Sequence, residues 1–528
     1  MKLKVKNIRV KTIITKKSIY LVGFISIKDN EENRIDRSKV SIQVNDNKYS
    51  MKFFLKRIKN IKYLRVLSNF YVAKIPIKDI VEGEIHNRLA FVYEKEGEIY
   101  NRGLRYCLKK DRYLNEKVKI LKGLDTSIYI RQSVGNNIFK TVRKINRTDK
   151  CLEQIKINMA YMLSKIVRDN NTVILYEKEC ARYEESASVA YENLLDNGYN
   201  NVFYIIDKKC KDYNIIKDRY RKNIIHKYSF KHYLYFFKAK TFIGTESPGH
   251  AIELRVANKY AVRRVYSKEL NYVFLQHGVM YMVSLTAKTR SAFHKKETNG
   301  IRKVLVSSKL EAQHFIDYAN YLEEDMYICG LPKFDKNEWN KDADKIIIMP
   351  TWRPWEYNQS RLDFAETKYY KMVSRIFKSI PDKYKDKVII LPHPLIAEMI
   401  TEFQDDMKQY MNFKEKYDDL LKQAKVLITD YSSISYDAFY RGSNVIFYWE
   451  EKDYCMEQYG EGTKLMLNED NCFGDICYTP DQLSNVVEKN YLQGQDKKYI
   501  DNYRKIVEFN DNKNTERLIN YLKKDKLI

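Results

Sequence analysis

The chain has 528 residues, 44% of them hydrophobic and 31% charged, with only 17 Gly and 9 Pro. Such a composition builds large cores and excludes a disordered, fibrous or low-complexity protein; at roughly 150 residues per domain it allows three or four domains. The net charge is +26, yet residues 1–150 alone hold 36 Lys and Arg against 15 Asp and Glu, so the basic excess belongs to an N-terminal segment and favours an anionic partner there, whether membrane surface, nucleic acid or polyphosphate.

Residues 1–103 alternate apolar and polar side chains in short runs such as SIYLVGFISI (18–27), SKVSIQV (38–44) and RLAFVYE (88–94), with turn formers such as Asn45-Asp46-Asn47 between them. Period-2 runs separated by turns predict a small antiparallel β domain, basic and accessory. Residues 104–150 read as a basic connector, in which RQSVGNNIFKTVRKI (131–145) has the pattern of a surface helix, amphipathic enough to lie on a membrane. The basic start lacks the apolar region of a signal peptide. No stretch reaches the ~18 apolar residues that span a bilayer.

After residue 150 short apolar runs alternate with helical segments. The runs are NTVILYE, NVFYIID, TFIGT, NYVFLQHG, KVLVSS, DMYICGLP, KIIIMPTW, KVIILPHP, KVLITDYS and NVIFYWE. Continuous apolar strands between helices predict parallel sheets covered on both faces. The length is too great for one such sheet, so the expectation is two doubly wound domains, 151–338 and 339–528, the second closing with C-terminal helices. Eight cysteines lie far apart, without CxxC spacing, which predicts reduced, mostly buried thiols in a cytosolic protein rather than disulfides or a zinc site.

In open parallel sheets, ligands bind beyond the carboxyl ends of the strands. Here four of those ends carry chemistry: His277-Gly278, Thr351 to Arg353, His393 between two prolines, and Asp430-Tyr431-Ser432-Ser433. A single such residue is usually structural; four together point to one cleft. Ser432 and Ser433 at a strand-to-helix turn are either helix caps or a phosphate seat, without the pattern of a P-loop or dinucleotide site. Arg353 suits either a bidentate grip on phosphate or an ion pair with an acidic neighbour. His277, followed by a glycine, suits a general base, and His393 a fixed donor to a phosphate or leaving group.

The series FLQHG, ICGLPKFD, PTWRPW, ILPHP and TDYSSISYDAF resembles, in order and spacing, the CDP-glycerol glycerophosphotransferase family, polymerases and primases of teichoic acids and related capsules. The resemblance covers roughly residues 170–480. It implies a GT-B pair of Rossmann-like domains, 151–338 facing the acceptor and 339–528 holding the CDP donor. It further implies His277 as the base, His393 on the phosphate side, and Arg353, Ser432, Ser433 and Thr351 around the pyrophosphate. Asp430 would orient that loop and Asp437 is a further candidate. Gly278 belongs to the HG block. Gly330, Pro332 and Asp335 match the family's GxPRxD block, with Lys333 in place of Arg. Many members continue the HG block with a small residue and then Pro-Leu-Lys; this chain has Val279-Met280-Tyr281-Met282, a departure on the acceptor side.

The implied reaction moves an alditol phosphate, glycerol phosphate first and ribitol phosphate as the alternative, from a CDP-alditol to a lipid-linked polymer or oligosaccharide, releasing CMP. No carboxylate pair with metal-ligand spacing stands out, so no cofactor is expected to be required, a divalent cation being compatible but not indicated. The enzyme would work in the cytoplasm on the anionic inner face of a bacterial membrane, as a monomer or homo-oligomer. The same fold accommodates sugar transfer from a nucleotide-sugar. A nucleic-acid or other polyanion-binding role fits less well, because the charge lies away from the Rossmann pair and no RNA-binding motif occurs.

Overall fold

The computed structural model describes residues 4–28, 36–54, 69–81, 86–95, 97–104, 117–121, 125–132, 138–167, 171–286, 293–295, 301–338, 341–356, 363–392, 406–412, 415 and 417–528. Two compact units emerge. One comprises Met1–Arg168, Tyr228–Lys238 and Ile252–Ser267; the other comprises Asp169–Lys227, Ala239–Ala251 and Lys268–Ile528.

Among the described residues of the first unit, twelve strands make three four-stranded antiparallel sheets. The strands are β1 (Lys4–Ile14), β2 (Ser18–Lys28), β3 (Val40–Val44), β4 (Asn47–Ser50), β5 (Lys52–Phe53), β6 (Phe70–Pro76), β7 (His86–Arg88), β8 (Ala90–Lys95), β9 (Glu98–Gly103), β10 (Lys117–Leu121), β11 (Thr126–Gln132) and β12 (Ile138–Lys144). The sheet orders are β1-β2-β6-β5, β4-β3-β8-β9 and β10-β11-β12-β7. Alternation produces them: Val40, Ile42 and Val44 of β3, and Tyr71, Ala73 and Ile75 of β6, are buried while the residues between them are not, as a half-buried pleat requires. Asn45, at φ 53°, supplies the left-handed turn between β3 and β4.

Within the stretch expected as a connector with a helix at 131–145, the described residues of 117–121, 126–132 and 138–144 are instead strand. Ile128, Ile130 and Ile138 bury one face of β11 and β12 in the same core as β2 and β6, and the β-branched pattern overrides the helical one. The unit also extends past residue 150. It takes in the helices Cys151–Ser164, Phe230–Lys238 and Lys259–Val265. Tyr233 donates to Glu153 at 2.7 Å, Tyr161 stacks on Tyr260 at 4.1 Å, and the Thr148 N–H donates to Glu253 at 3.0 Å.

The second unit holds two parallel sheets. A seven-stranded sheet, ordered β15-β14-β13-β16-β17-β18-β19, is built from β13 (Val173–Tyr176), β14 (Val202–Ile206), β15 (Ile224–His226), β16 (Thr241–Gly244), β17 (Asn271–Phe274), β18 (Lys303–Val306) and β19 (Met326–Ile328). A five-stranded sheet, ordered β21-β20-β22-β23-β24, contains β20 (Lys345–Ile348), β21 (Val388–Ile390), β22 (Ala424–Thr429), β23 (Asn444–Tyr448) and β24 (Asp475–Cys477). Every ladder in both sheets is parallel. Strand order reverses between β13 and β16 in one sheet and between β20 and β22 in the other, the points where such sheets open a crevice for ligand. One hydrophobic cluster runs through both, from Leu175 and Val273 to Ile347 and Leu427.

The last helices do not stay with the five-stranded sheet. Helix Asn514–Lys524 returns to the first sheet, where Tyr521 stacks on Tyr327 at 4.7 Å and Thr241 donates to the Leu527 carbonyl at 3.1 Å.

Candidate functional site

A cleft of about 960 Å³ lies at the carboxyl ends of the two sheets, lined among others by Lys178, Glu185, His277, Lys333, Ser432, Ser433 and Asp437. Three of the sequence blocks touch one another there. The Gly278 backbone packs so close to the Ser433 loop that a Cβ on it would stand 3.1 Å from Ser433 Oγ. Lys333 Nζ donates to the His277 carbonyl at 2.7 Å and pairs with Asp437 at 2.6 Å. One lysine thus ties the HG loop to the helix that follows the serine loop. Burial pushes the Asp437 carboxyl up, against the opposing charge of Lys333.

His277 follows β17, and its side chain is 47% exposed. The loop that carries it is held from beneath by Glu311, which accepts the Met280 N–H at 2.7 Å and the Ser307 N–H at 2.6 Å. Burial pushes the Glu311 carboxyl up to about 7, despite those two bonds. Gln276, just before His277, sits at φ 62°. Lys178, Glu179 and Cys180, directly after β13, occupy the same left-handed region at φ 38°, 57° and 62°. For side chains other than glycine this costs about 1–2 kcal/mol per residue. The strained residues therefore sit at two strand ends, on either side of β16, that open on the cleft.

On the opposite side, Arg353 does not line the cleft. It is fully buried; Nη1 donates to Asp430 and to the Thr351 carbonyl, both at 2.7 Å, and Nη2 lies 3.5 Å from Glu451. Burial would lower its pKa, but Asp430 more than compensates and raises it. Of the two readings open in the sequence, the geometry is that of the ion pair. Asp430 in turn accepts the Thr351 N–H at 2.7 Å and the Tyr431 N–H at 2.5 Å, and its own carbonyl accepts from Trp449 at 3.1 Å. The cluster fixes the turn from which Ser432 and Ser433 reach the cleft. Ser433 makes no side-chain cap, and Ser432 Oγ accepts only a long 3.4 Å bond from the Ile434 N–H, so these hydroxyls are not spent on capping.

Of the same block as Lys333, Asp335 also lines the cleft, while Gly330 and Pro332 stand one step back. Asp335 accepts four hydrogen bonds of 2.6–2.9 Å from the backbone and side chains of Asn514 and Thr515, anchoring the start of the last helix. Gly330 has φ +78°, and a Cβ there would meet Asn514 Oδ1 at 2.0 Å. His393 lies outside the described residues. Sequence reasoning passed over Glu177, Lys178 and Glu185, though an acidic strand end followed eight residues later by a second carboxylate was visible in the loop after β13. Among the described residues no group of His, Cys, Asp and Glu is placed to hold a metal ion.

Two doubly wound parallel sheets sharing a cleft at their carboxyl ends define a GT-B-like architecture. The wall teichoic acid polymerase TagF has that fold: its structure superposes with a TM-score of 0.50 at 17% identity, over 71% of this chain and 93% of that one. The model of the CDP-Glycerol:Poly(glycerophosphate) glycerophosphotransferase family matches residues 158–524, and the chain belongs to that family. Two proteins of Bacillus subtilis (strain 168) are similar to it. The minor teichoic acid biosynthesis protein GgaB is 24% identical over 461 residues, 81% of this chain and 47% of GgaB. The teichoic acid glycerol-phosphate primase is 24% identical over 190 residues, 35% of this chain and 44% of the primase. The chain thus spans about half the length of the curated relatives it matches.

Proposed function

We propose that the chain transfers glycerol phosphate from CDP-glycerol to a hydroxyl of a teichoic acid or related capsular acceptor. His277 takes the proton of the acceptor hydroxyl. The oxygen attacks the glycerol-bearing phosphorus, the bond between that phosphorus and the bridging oxygen breaks, and CMP leaves with the electron pair. Ser432 and Ser433 donate to the phosphate oxygens, and Lys333 offsets the charge that develops. Catalysis of this kind is mainly positioning and electrostatics. The observation that supports the reading is the approach of Gly278 to Ser433, which brings the His277 loop beside the turn that carries the two serine hydroxyls. The test incubates the full chain with CDP-glycerol, CDP-ribitol or a UDP-sugar and measures nucleotide release. CMP from CDP-glycerol, dependent on added acceptor, is expected; UDP from the UDP-sugar instead would replace this reading with glycosyl transfer.

We further propose that the acceptor is reached at an anionic membrane surface through the helix Cys151–Ser164. No helix among the described residues is long and apolar enough to cross a membrane. That helix nevertheless exposes Leu152 (73%), Ile155, Met159 and Met162 (61%), and Ile166 follows at 81%. The spacing of three and four places them on one face. Cations rim the same unit: Lys165 lies over Tyr161, Lys231 and Lys238 over Tyr235, and Lys259 over Tyr260. An apolar face edged with lysine and tyrosine is the composition of an in-plane membrane helix. Met159→Glu/Met162→Glu should abolish sedimentation with phosphatidylglycerol vesicles while leaving turnover on a soluble acceptor intact. Undiminished sedimentation would move the contact elsewhere.

A further inference from the structure

Beside His277 lies a carboxylate that the reaction as written leaves unused. Glu185 Oε2 stands 3.7 Å from His277 Nδ1. That oxygen is buried and accepts no hydrogen bond from any described group. The separation exceeds a hydrogen bond, and catalytic contacts of this kind commonly run long before substrate binds and tighten afterwards.

Everything behind Glu185 fixes it. Glu177, fully buried at the end of β13, accepts the N–H groups of Glu184 and Glu185 at 3.0 Å and of Ser188 at 2.7 Å. Those three bonds set the backbone from which Glu185 projects. Its other oxygen lies 2.6 Å from Lys178 Nζ. Lys178 is aimed by the left-handed turn, which is held in turn by a 2.7 Å bond from the Glu179 N–H to Glu246 and a 2.5 Å bond from Lys227 to the Glu179 carbonyl. The two neighbouring carboxyls are driven apart. Burial and the charge of Glu185 push Glu177 up. Burial opposes ionisation of Glu185 as well, but His277, Lys178 and Lys333 outweigh it and hold that carboxyl down. The anion of the pair is therefore the member that faces the imidazole.

We propose that Glu185 is the positioning residue of His277: it receives Nδ1–H, fixes the tautomer that leaves Nε2 free for the acceptor proton, and steadies the imidazolium formed when that proton arrives. The inference rests on the reading of His277 as base. A carboxylate behind a catalytic histidine is a general solution, found on unrelated folds, and here it comes from the loop after β13, whereas the histidine follows β17.

The test is a double-mutant cycle on the full chain with CDP-glycerol and a soluble acceptor. Glu185→Gln should lower kcat by about 10²-fold, the lower end of what acid–base catalysis supplies, with the dissociation constant for CDP-glycerol unchanged and Glu185→Asp recovering part of the rate. In a His277→Ala background Glu185→Gln should have no further effect. Nitrogen-15 NMR of labelled histidine should show Nδ1–H on His277 in the parent and a mixture of tautomers in Glu185→Gln, whose amide can donate to Nδ1. An equal loss in both backgrounds, or an unaltered tautomer, overturns the proposal. Near-parental turnover of His277→Ala alone instead overturns the reading of the base, and the two failures are told apart by which single variant is silent.

Discussion

The two sheets end on the cleft in different ways. Beyond β13 and β17 the loops carry four left-handed residues, a half-exposed histidine and two carboxyls whose pKa values are pushed in opposite directions. Beyond β20 and β22 the loops are locked by Arg353 and Asp430, both buried and bonded to each other and to backbone. Proton transfer needs a titratable group that meets the substrate with its charge unsettled. Holding an anion needs donors that do not move. The first side stores strain where chemistry would occur; the second uses its strongest charge pair as scaffolding and turns the Ser432 and Ser433 hydroxyls to the cleft.

The contrast can be broken from either side. His277→Ala should cut turnover by ~10²–10⁴ with donor affinity retained, the range for loss of a general base; a folded variant with near-parental turnover would deny the first side its role. Arg353→Ala should act on stability instead. It strands Asp430 in the interior, and breaking a buried pair costs about 3–5 kcal/mol, read as a lowered denaturant midpoint. Arg353→Met/Asp430→Asn should recover much of that loss. If Arg353→Ala weakens donor binding with the midpoint unchanged, Arg353 is a ligand-gripping residue after all. Ser432→Ala/Ser433→Ala should do the reverse, leaving the midpoint in place and weakening CDP-glycerol by about 1 kcal/mol per lost hydrogen bond.

The smallest effect concerns pH. The Glu311 carboxyl, ordinarily near 4.5, sits at about 7 in the folded protein. Between those values the folded chain holds a proton that the unfolded chain has released, so this group's contribution to stability falls as pH rises through that window and levels off above it. Glu311→Gln should remove that component of the slope in denaturant midpoints taken across the window; an unchanged slope would mean the carboxyl titrates normally.

Much of this was legible in the residues. Each of the ten apolar runs named after residue 150 contains one strand of the parallel sheets, because a strand buried on both faces must be apolar throughout. The two strands not foreseen, Ile224–His226 and Asp475–Cys477, are edge strands with only two apolar residues each, too few to make a run. The meeting of the HG and serine loops followed from where parallel sheets open. Arg353 was harder, since a guanidinium at a strand end reads alike whether it faces phosphate or a buried aspartate; only Asp430, 77 residues away, decides it. The helical pattern at 131–145 misled because Ile128, Ile130 and Ile138 find partners in a sheet core that no local window contains. The carboxylate of Glu185 could be seen but its role could not, for a similar reason: that role comes from a histidine beyond another strand.

Asp335 accepts from Thr515, 180 residues further along the chain. At 5–20 residues per second, a ribosome takes roughly 9–36 s to cover that distance. Throughout that interval the first sheet lacks its closing helix, and the pocket beside Gly330 stands unfilled. A chain that stops early would therefore expose the flaw in the lobe made first rather than in the one left unfinished, and proteases acting on nascent protein would meet it there.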